Sequence, residues 1–161
     1  MIESGFYQWA TQNAKIQKCL GSVTAADYSQ SFYFSFLAKN PVLPAIVLDR
    51  LSGNEDEVDS LDVRDDSPAA MCSAKFQFGC CAQNDKNNPQ NPDGYLSAAA
   101  LALALRRQLI ALANGDAALP DGTVIKDVHI LDEFDAHFEM GGTGYTFRRI
   151  LQVEVLYGEA Q

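Results

Sequence analysis

Residues 124–157, VIKDVHILDEFDAHFEMGGTGYTFRRILQVEVLY, decide the fold. Two long alternating runs flank Gly141, Gly142, Thr143 and Gly144, and these four read as a hairpin loop. In the first run, residues 124–139, Val128, Ile130, Phe134, Ala136 and Phe138 fall on one face if the period is strictly two. In the second, residues 145–157, Tyr145, Phe147, Leu151, Val153, Val155 and Tyr157 share a face, with Arg148, Gln152 and Glu154 opposite. Two such runs joined by a short glycine-rich loop make an antiparallel pair with one side toward a core.

Working outward, residues 71–82 (MCSAKFQFGCCA) alternate in the same way. Cys72, Ala74, Phe76, Phe78, Cys80 and Ala82 are expected to face the core, which makes Cys72 and Cys80 small core hydrophobes. A polar Pro/Asn/Gly segment, residues 84–94, leads into a helix expected over residues 95–113, with Asp93 as candidate N-cap and Gly115 just past the end. At 100° per residue, Leu101, Leu105, Leu109 and Leu112 fall on one side of that helix, while Leu96, Leu103 and Ile110 fall nearly opposite. A helix apolar on two sides needs cover on two sides. The sheet supplies one, and either the first helix or a neighbouring subunit supplies the other.

Upstream, residues 3–17 read as a helix with Phe6, Trp9 and Ala10 in one stripe, stopped near Gly21. Residues 28–37 read as an aromatic strand, residues 40–44 (NPVLP) as a turn or sheet edge, and residues 45–51 (AIVLDRL) as a further strand. The order predicts an α+β fold: a largely antiparallel mixed sheet of about five strands with two main helices packed on one side. Its length of 161 residues suits one domain spanning residues 1–161.

Composition narrows function by exclusion. The chain is 47% hydrophobic and 20% charged, as globular proteins are, and carries a formal net charge of −9. That charge argues against wrapping nucleic acid or docking on an anionic membrane. Residues 1–9 lack the basic start and apolar stretch of a signal peptide, so synthesis in a reducing bacterial cytoplasm with free thiols is expected. Residues 98–113, the most apolar stretch, are interrupted by Arg106, Arg107 and Gln108 and fall short of the roughly 20 residues a bilayer needs, so no membrane span is expected.

No catalytic, cofactor-binding or metal motif emerges. The four cysteines, Cys19, Cys72, Cys80 and Cys81, contain no C-x-x-C pair. The glycines at 141, 142 and 144 do not form G-x-G-x-x-G, and they lie between strands. His129 and His137 would share a strand face with Asp127, Glu133 and Asp135, but eight residues of strand span roughly 26 Å at about 3.3 Å each, too far for one ion. Residues 53–68 carry Glu55, Asp56, Glu57, Asp59, Asp62, Asp65 and Asp66 against a single Arg64, the pattern of a solvated segment. Arg149 stands on the otherwise apolar face of the last strand, where it either snorkels at a strand end or pairs with a carboxylate across a subunit boundary.

The order of elements, with the strings PAIVLDRL (residues 44–51), AKFQFGCCA (74–82), AAALALALRRQLIAL (98–112) and FRRILQVEVLY (147–157), resembles the tail-completion, or tail-terminator, proteins of long-tailed phages and prophages. The resemblance spans nearly the whole chain, although residues 84–94 and 53–68 are longer than its pattern. It implies a non-enzymatic virion protein of the tail or neck, made in the bacterial cytoplasm and needing no cofactor. Its implied partners are itself in a ring, typically a hexamer, together with the tail-tube protein and the head-side connector. DNA passes through such a ring without being bound specifically. Candidate subunit or channel contacts are Asp56, Glu57, Asp59, Asp62, Asp65, Arg148 and Arg149. The alternatives are another head–tail adaptor or tail-tube-related subunit, a small-molecule-binding α+β domain, or an unrecognised enzyme.

Overall fold

A computed structural model describes residues 1–20, 28–39, 41–54, 71–83, 93–115, 118–139 and 145–158. The described elements run α1 (Ile2–Gln12), α2 (Ala14–Gln17), a 3-10 turn (Tyr28–Ser31), β1 (Phe32–Phe34), β2 (Ala45–Asn54), β3 (Met71–Gln83), α3 (Asp93–Asn114), β4 (Val124–Glu139) and β5 (Tyr145–Gly158). One sheet has the order β1-β2-β3-β5-β4, with β1 parallel to β2 and every other pair antiparallel. This is the expected α+β fold.

The even positions of β3 do face the core. Cys72, Ala74, Phe76, Phe78, Cys80 and Ala82 are all buried. Phe6 of α1 drops between two of them, its ring centroid 5.4 Å from Phe76 and 5.5 Å from Phe78, both edge-to-face. Such aromatic pairs add about 0.5–1.5 kcal/mol beyond burial. Leu101, Leu105 and Leu109 of α3 and Leu151, Val153 and Val155 of β5 complete the same layer. Both long helices therefore lie on one side of the sheet.

The first helix is broken where a single one was expected. Asn13 leaves the helical region, at φ −77° and ψ 116°, and its side-chain oxygen accepts from the backbone N–H groups of Lys15 (3.0 Å) and Ile16 (3.2 Å). A short amide side chain competes well for backbone donors, so Asn ends one helix and caps the next. The aromatic strand expected over residues 28–37 shrinks to Phe32–Phe34. Beyond it Ser35 takes φ 66°, its N–H donates to Leu48 O, and Phe36 N–H folds back onto Phe34 O. β2 is longer than expected and runs through Asn54, with a register shift between Arg50 and Ser52.

The largest departure lies in β4. Its register with β5 slips between Ile125 and Asp127 and again between Ile130 and Asp132. Each slip is one extra residue, a β-bulge, and each reverses the faces that follow. Val128 and Ile130 pair with Val155 and Val153 on the core side. After the second bulge Glu133 and Asp135 pair with Leu151 and Arg149 on that side, while Phe134 pairs with Ile150 on the other. Strict alternation had placed Phe134 and Ala136 beside Val128 and Ile130. The structure separates them.

α3 extends over 22 residues, longer than the sequence pattern suggested. Gly94–Asn114 is long and apolar enough, by length and composition alone, to cross a bilayer. Its leucines at 101, 105 and 109 are fully buried against the sheet, as in the core helix of a globular domain.

Candidate assembly surfaces

α3 carries the first surface. Its inner side is sealed, but Leu96, Leu103 and Ile110 on the opposite side remain 55%, 45% and 38% exposed. The first helix does not supply the missing cover. α1 lies over Phe76 and Phe78, and α2 touches α3 only along a flank, where Asn13 Nδ2 donates to Gln108 Oε1 (3.1 Å) and Cys19 Sγ approaches Ala100 O (3.8 Å). Arg107, also exposed, lies between Leu103 and Ile110 on the helix. Lys15 and Lys18 stand exposed on and just beyond α2. Among the described residues no carboxylate pairs with Lys15, Lys18 or Arg107.

The second surface is the outer side of β4. The two bulges bring Asp127, His129, Asp132 and Phe134 into one row, paired in turn with Leu156, Glu154, Gln152 and Ile150. The bulged residue itself, Leu131, is 46% exposed and Phe134 is 41% exposed. His129 Nε2 lies 2.9 Å from Asp127 Oδ2, and among the described residues the Asp132 carboxylate accepts only from the backbone N–H of Glu133 (2.9 Å).

Between the surfaces runs a charge network. Arg149 Nε donates to Asp135 Oδ1 (2.7 Å), and its Nη2 donates to Asp135 Oδ2 (3.1 Å) and to the Tyr95 hydroxyl (3.1 Å). The Arg149 guanidinium also stacks over the Tyr95 ring at 5.6 Å. Glu133 lies 3.9 Å from Arg149 and 3.1 Å from Arg106 on α3. The hydrogen bond from Arg149 holds the Asp135 carboxyl below the usual carboxylate range, and the same bond holds the guanidinium above its own. Two cations and two carboxylates balance here, so the network ties β4, β5 and α3 together without leaving net charge. Arg149 thus finds a carboxylate within its own chain, on the neighbouring strand.

Arg148 faces the other side of the sheet. Its guanidinium lies across Gly79, where a Cβ would collide with Arg148 Nε, and approaches Asp49 Oδ2 at 3.7 Å. Val47, Cys81, Thr146 and Ile150 on this side are buried. Arg148 and Arg149 therefore do not act together, although they adjoin in sequence. Asp56, Glu57, Asp59, Asp62 and Asp65 lie outside the described residues, as does the glycine-rich segment 141–144.

The same bulge dismantles the tempting His/Asp set. Asp127 and His129 pair with each other on the outer side, while Glu133 and Asp135 are held under α3 by Arg106, Arg149 and Tyr95. Among the described residues no group of three His, Cys, Asp or Glu side chains could hold a metal ion. A cleft of about 110 Å³ lies beside Arg149, lined by Tyr95, Ala98, Asp135, Ala136, Phe147 and Arg148. Small-molecule pockets usually run about 300–1,000 Å³. Burial pushes the Cys81 thiol up to about 11 and the Cys80 thiol higher still, so neither is a ready nucleophile at neutral pH.

No protein-family model matches the chain, and no characterised protein matches its sequence. Among solved structures, the chain is similar to one from the "virion of native gene transfer agent (GTA) particle", with 15% identity, a TM-score of 0.46, and coverage of 94% of this chain and 98% of that one.

Proposed function

We propose that this protein is a structural subunit of a phage or prophage tail, forming a ring that ends the tail tube and meets the head-side connector. The observation that carries the reading is the two-sided helix α3, whose outer leucine and isoleucine side chains stay exposed after the chain has folded. An exposed apolar stripe of this kind marks a surface that another protein covers. A ring needs a patch on one subunit to meet a different patch on the next. The outer side of β4, apolar and acidic, differs in character from the outer side of α3, apolar and basic. The resemblance of residues 44–51, 74–82, 98–112 and 147–157 to tail-completion proteins supports this position in the virion. A net charge of −9 suits a subunit past which DNA must slide without sticking.

The test is to add the purified protein to polymerising tail-tube protein and measure tube lengths by electron microscopy. The expected result is shorter tubes carrying a ring at one end. An unchanged length distribution with bare ends would refute the terminator role. Copolymerisation along the tube wall would point instead to a tube-related subunit.

A further inference from the structure

We propose that the basic, apolar outer side of α3 and α2 is the docking surface for a second copy of this chain, which presents the outer side of β4. The inference rests on the assembly reading above and names the two contacting patches.

The charges are the first argument. In a chain of net charge −9, Lys15, Lys18 and Arg107 have no carboxylate partner among the described residues, and all three lie on the helix layer. Arg106, one residue away, is by contrast satisfied by Glu133 at 3.1 Å. Across the sheet, Asp132 has no cation partner among the described residues, and Asp127 meets there only the His129 imidazole and the backbone N–H of Val128. The helix patch therefore leaves Lys15, Lys18 and Arg107, and the β4 row leaves Asp132, without an opposite charge among the described residues, beside two or three exposed apolar side chains. Leu96, Leu103 and Ile110 accompany the cations, while Leu131 and Phe134 accompany the carboxylates. Apolar anchors ringed by opposite charges are what a specific interface presents.

Self-pairing of either patch is disfavoured. Two copies meeting β4 to β4 would face Asp127 and Asp132 against their own kind, and two meeting α3 to α3 would oppose Arg107 with Arg107. The complementary pairing is heterologous. It leaves one free patch of each kind on every dimer, so assembly continues beyond the dimer, and it ends in a ring where the rotation between neighbours closes. Edge pairing of β4 with β1 of a neighbour is a poor alternative, because β1 offers three residues against sixteen.

The test uses two surface cysteine variants, Ile110→Cys and Leu131→Cys, each in a Cys19→Ser background. They are mixed under mild oxidation and followed by non-reducing electrophoresis. The mixture is expected to form a disulfide-linked dimer at least about tenfold faster than either variant alone, and the double variant is expected to give a ladder. Self-linking of Ile110→Cys alone at the same rate would show a two-fold contact and overturn the proposal, as would no linking in any mixture. Charge reversal provides an independent arm. Arg107→Glu and Asp132→Lys should each weaken self-association about tenfold, and their mixture should recover it. Failure to recover would also overturn the pairing. The contact is read without a tail tube, so the two proposals fail separately. A protein that links 110 to 131 yet leaves tube lengths unchanged keeps this interface and loses the terminator role. One that shortens tubes without such links does the reverse.

Discussion

Deletion of Leu131 tests the central structural finding, because two readings of β4 predict opposite results. In the structure Leu131 is the surplus residue of a bulge: Ile130 pairs with Val153, and Asp132 with Gln152, its immediate neighbour. Removing Leu131 brings Ile130 and Asp132 together opposite two consecutive residues and leaves every other pair in place. The cost is then the buried part of one leucine. Leu131 is 46% exposed, and complete burial of such a side chain contributes about 1.5–3 kcal/mol, so the expected loss is about 1 kcal/mol. Without a bulge, the same deletion would swap the faces of everything on one side of it. At least Phe134 and Ala136 would change sides, at a cost of several kcal/mol and with a risk to cooperative folding. Urea unfolding followed by circular dichroism separates the cases. At a slope of about 2 kcal/mol/M, the midpoint should fall by about 0.5 M with the slope unchanged. A fall beyond about 1.5 M, or loss of the cooperative transition, would refute the bulged register.

Three further outcomes are expected. Asp135 has its pKa lowered by Arg149, so its contribution is present above the unfolded carboxylate value, near 3.9, and disappears as pH falls through the folded one. Asp135→Asn should therefore lower the melting temperature modestly at pH 7 and by progressively less below about pH 4; a constant difference across that range would contradict the pairing. Gly79→Ala should cost about 1–2 kcal/mol by displacing the Arg148 guanidinium, and clearly less in an Arg148→Ala background, because the collision is with that side chain. If the two changes prove additive in chemical denaturation, Arg148 does not lie across Gly79. Finally, a thiol reagent should titrate Cys19 alone in the native protein, since Cys72, Cys80 and Cys81 are buried and burial raises the pKa of the last two. Fast native labelling of a second thiol would show that the β3 core opens.

The sequence by itself determined the α+β class, the long strands β3, β4 and β5, the buried side of β3, and the two apolar sides of α3. These are properties of short-range periodicity: side chains alternate along a strand and recur every 3.6 residues on a helix, so a face can be read without knowing what lies against it. The charge balance and the lack of a catalytic motif were equally visible there. Tertiary structure decided what periodicity cannot carry. A bulge adds one residue to one strand, and only the partner strand reveals it. The sides of Phe134, Glu133 and Asp135 therefore stayed hidden until β4 was seen against β5. The partner of Arg149 was hidden for the same reason, since Asp135 reaches it only after that slip. The break at Asn13 had a local cause, an amide that caps as readily as it continues a helix, but its outcome depended on Ile16 finding the core. The exposure of Leu96, Leu103 and Ile110 was likewise undecided by pattern. A two-sided helix states that it needs a second cover, and only the packed chain shows that its own first helix lies elsewhere.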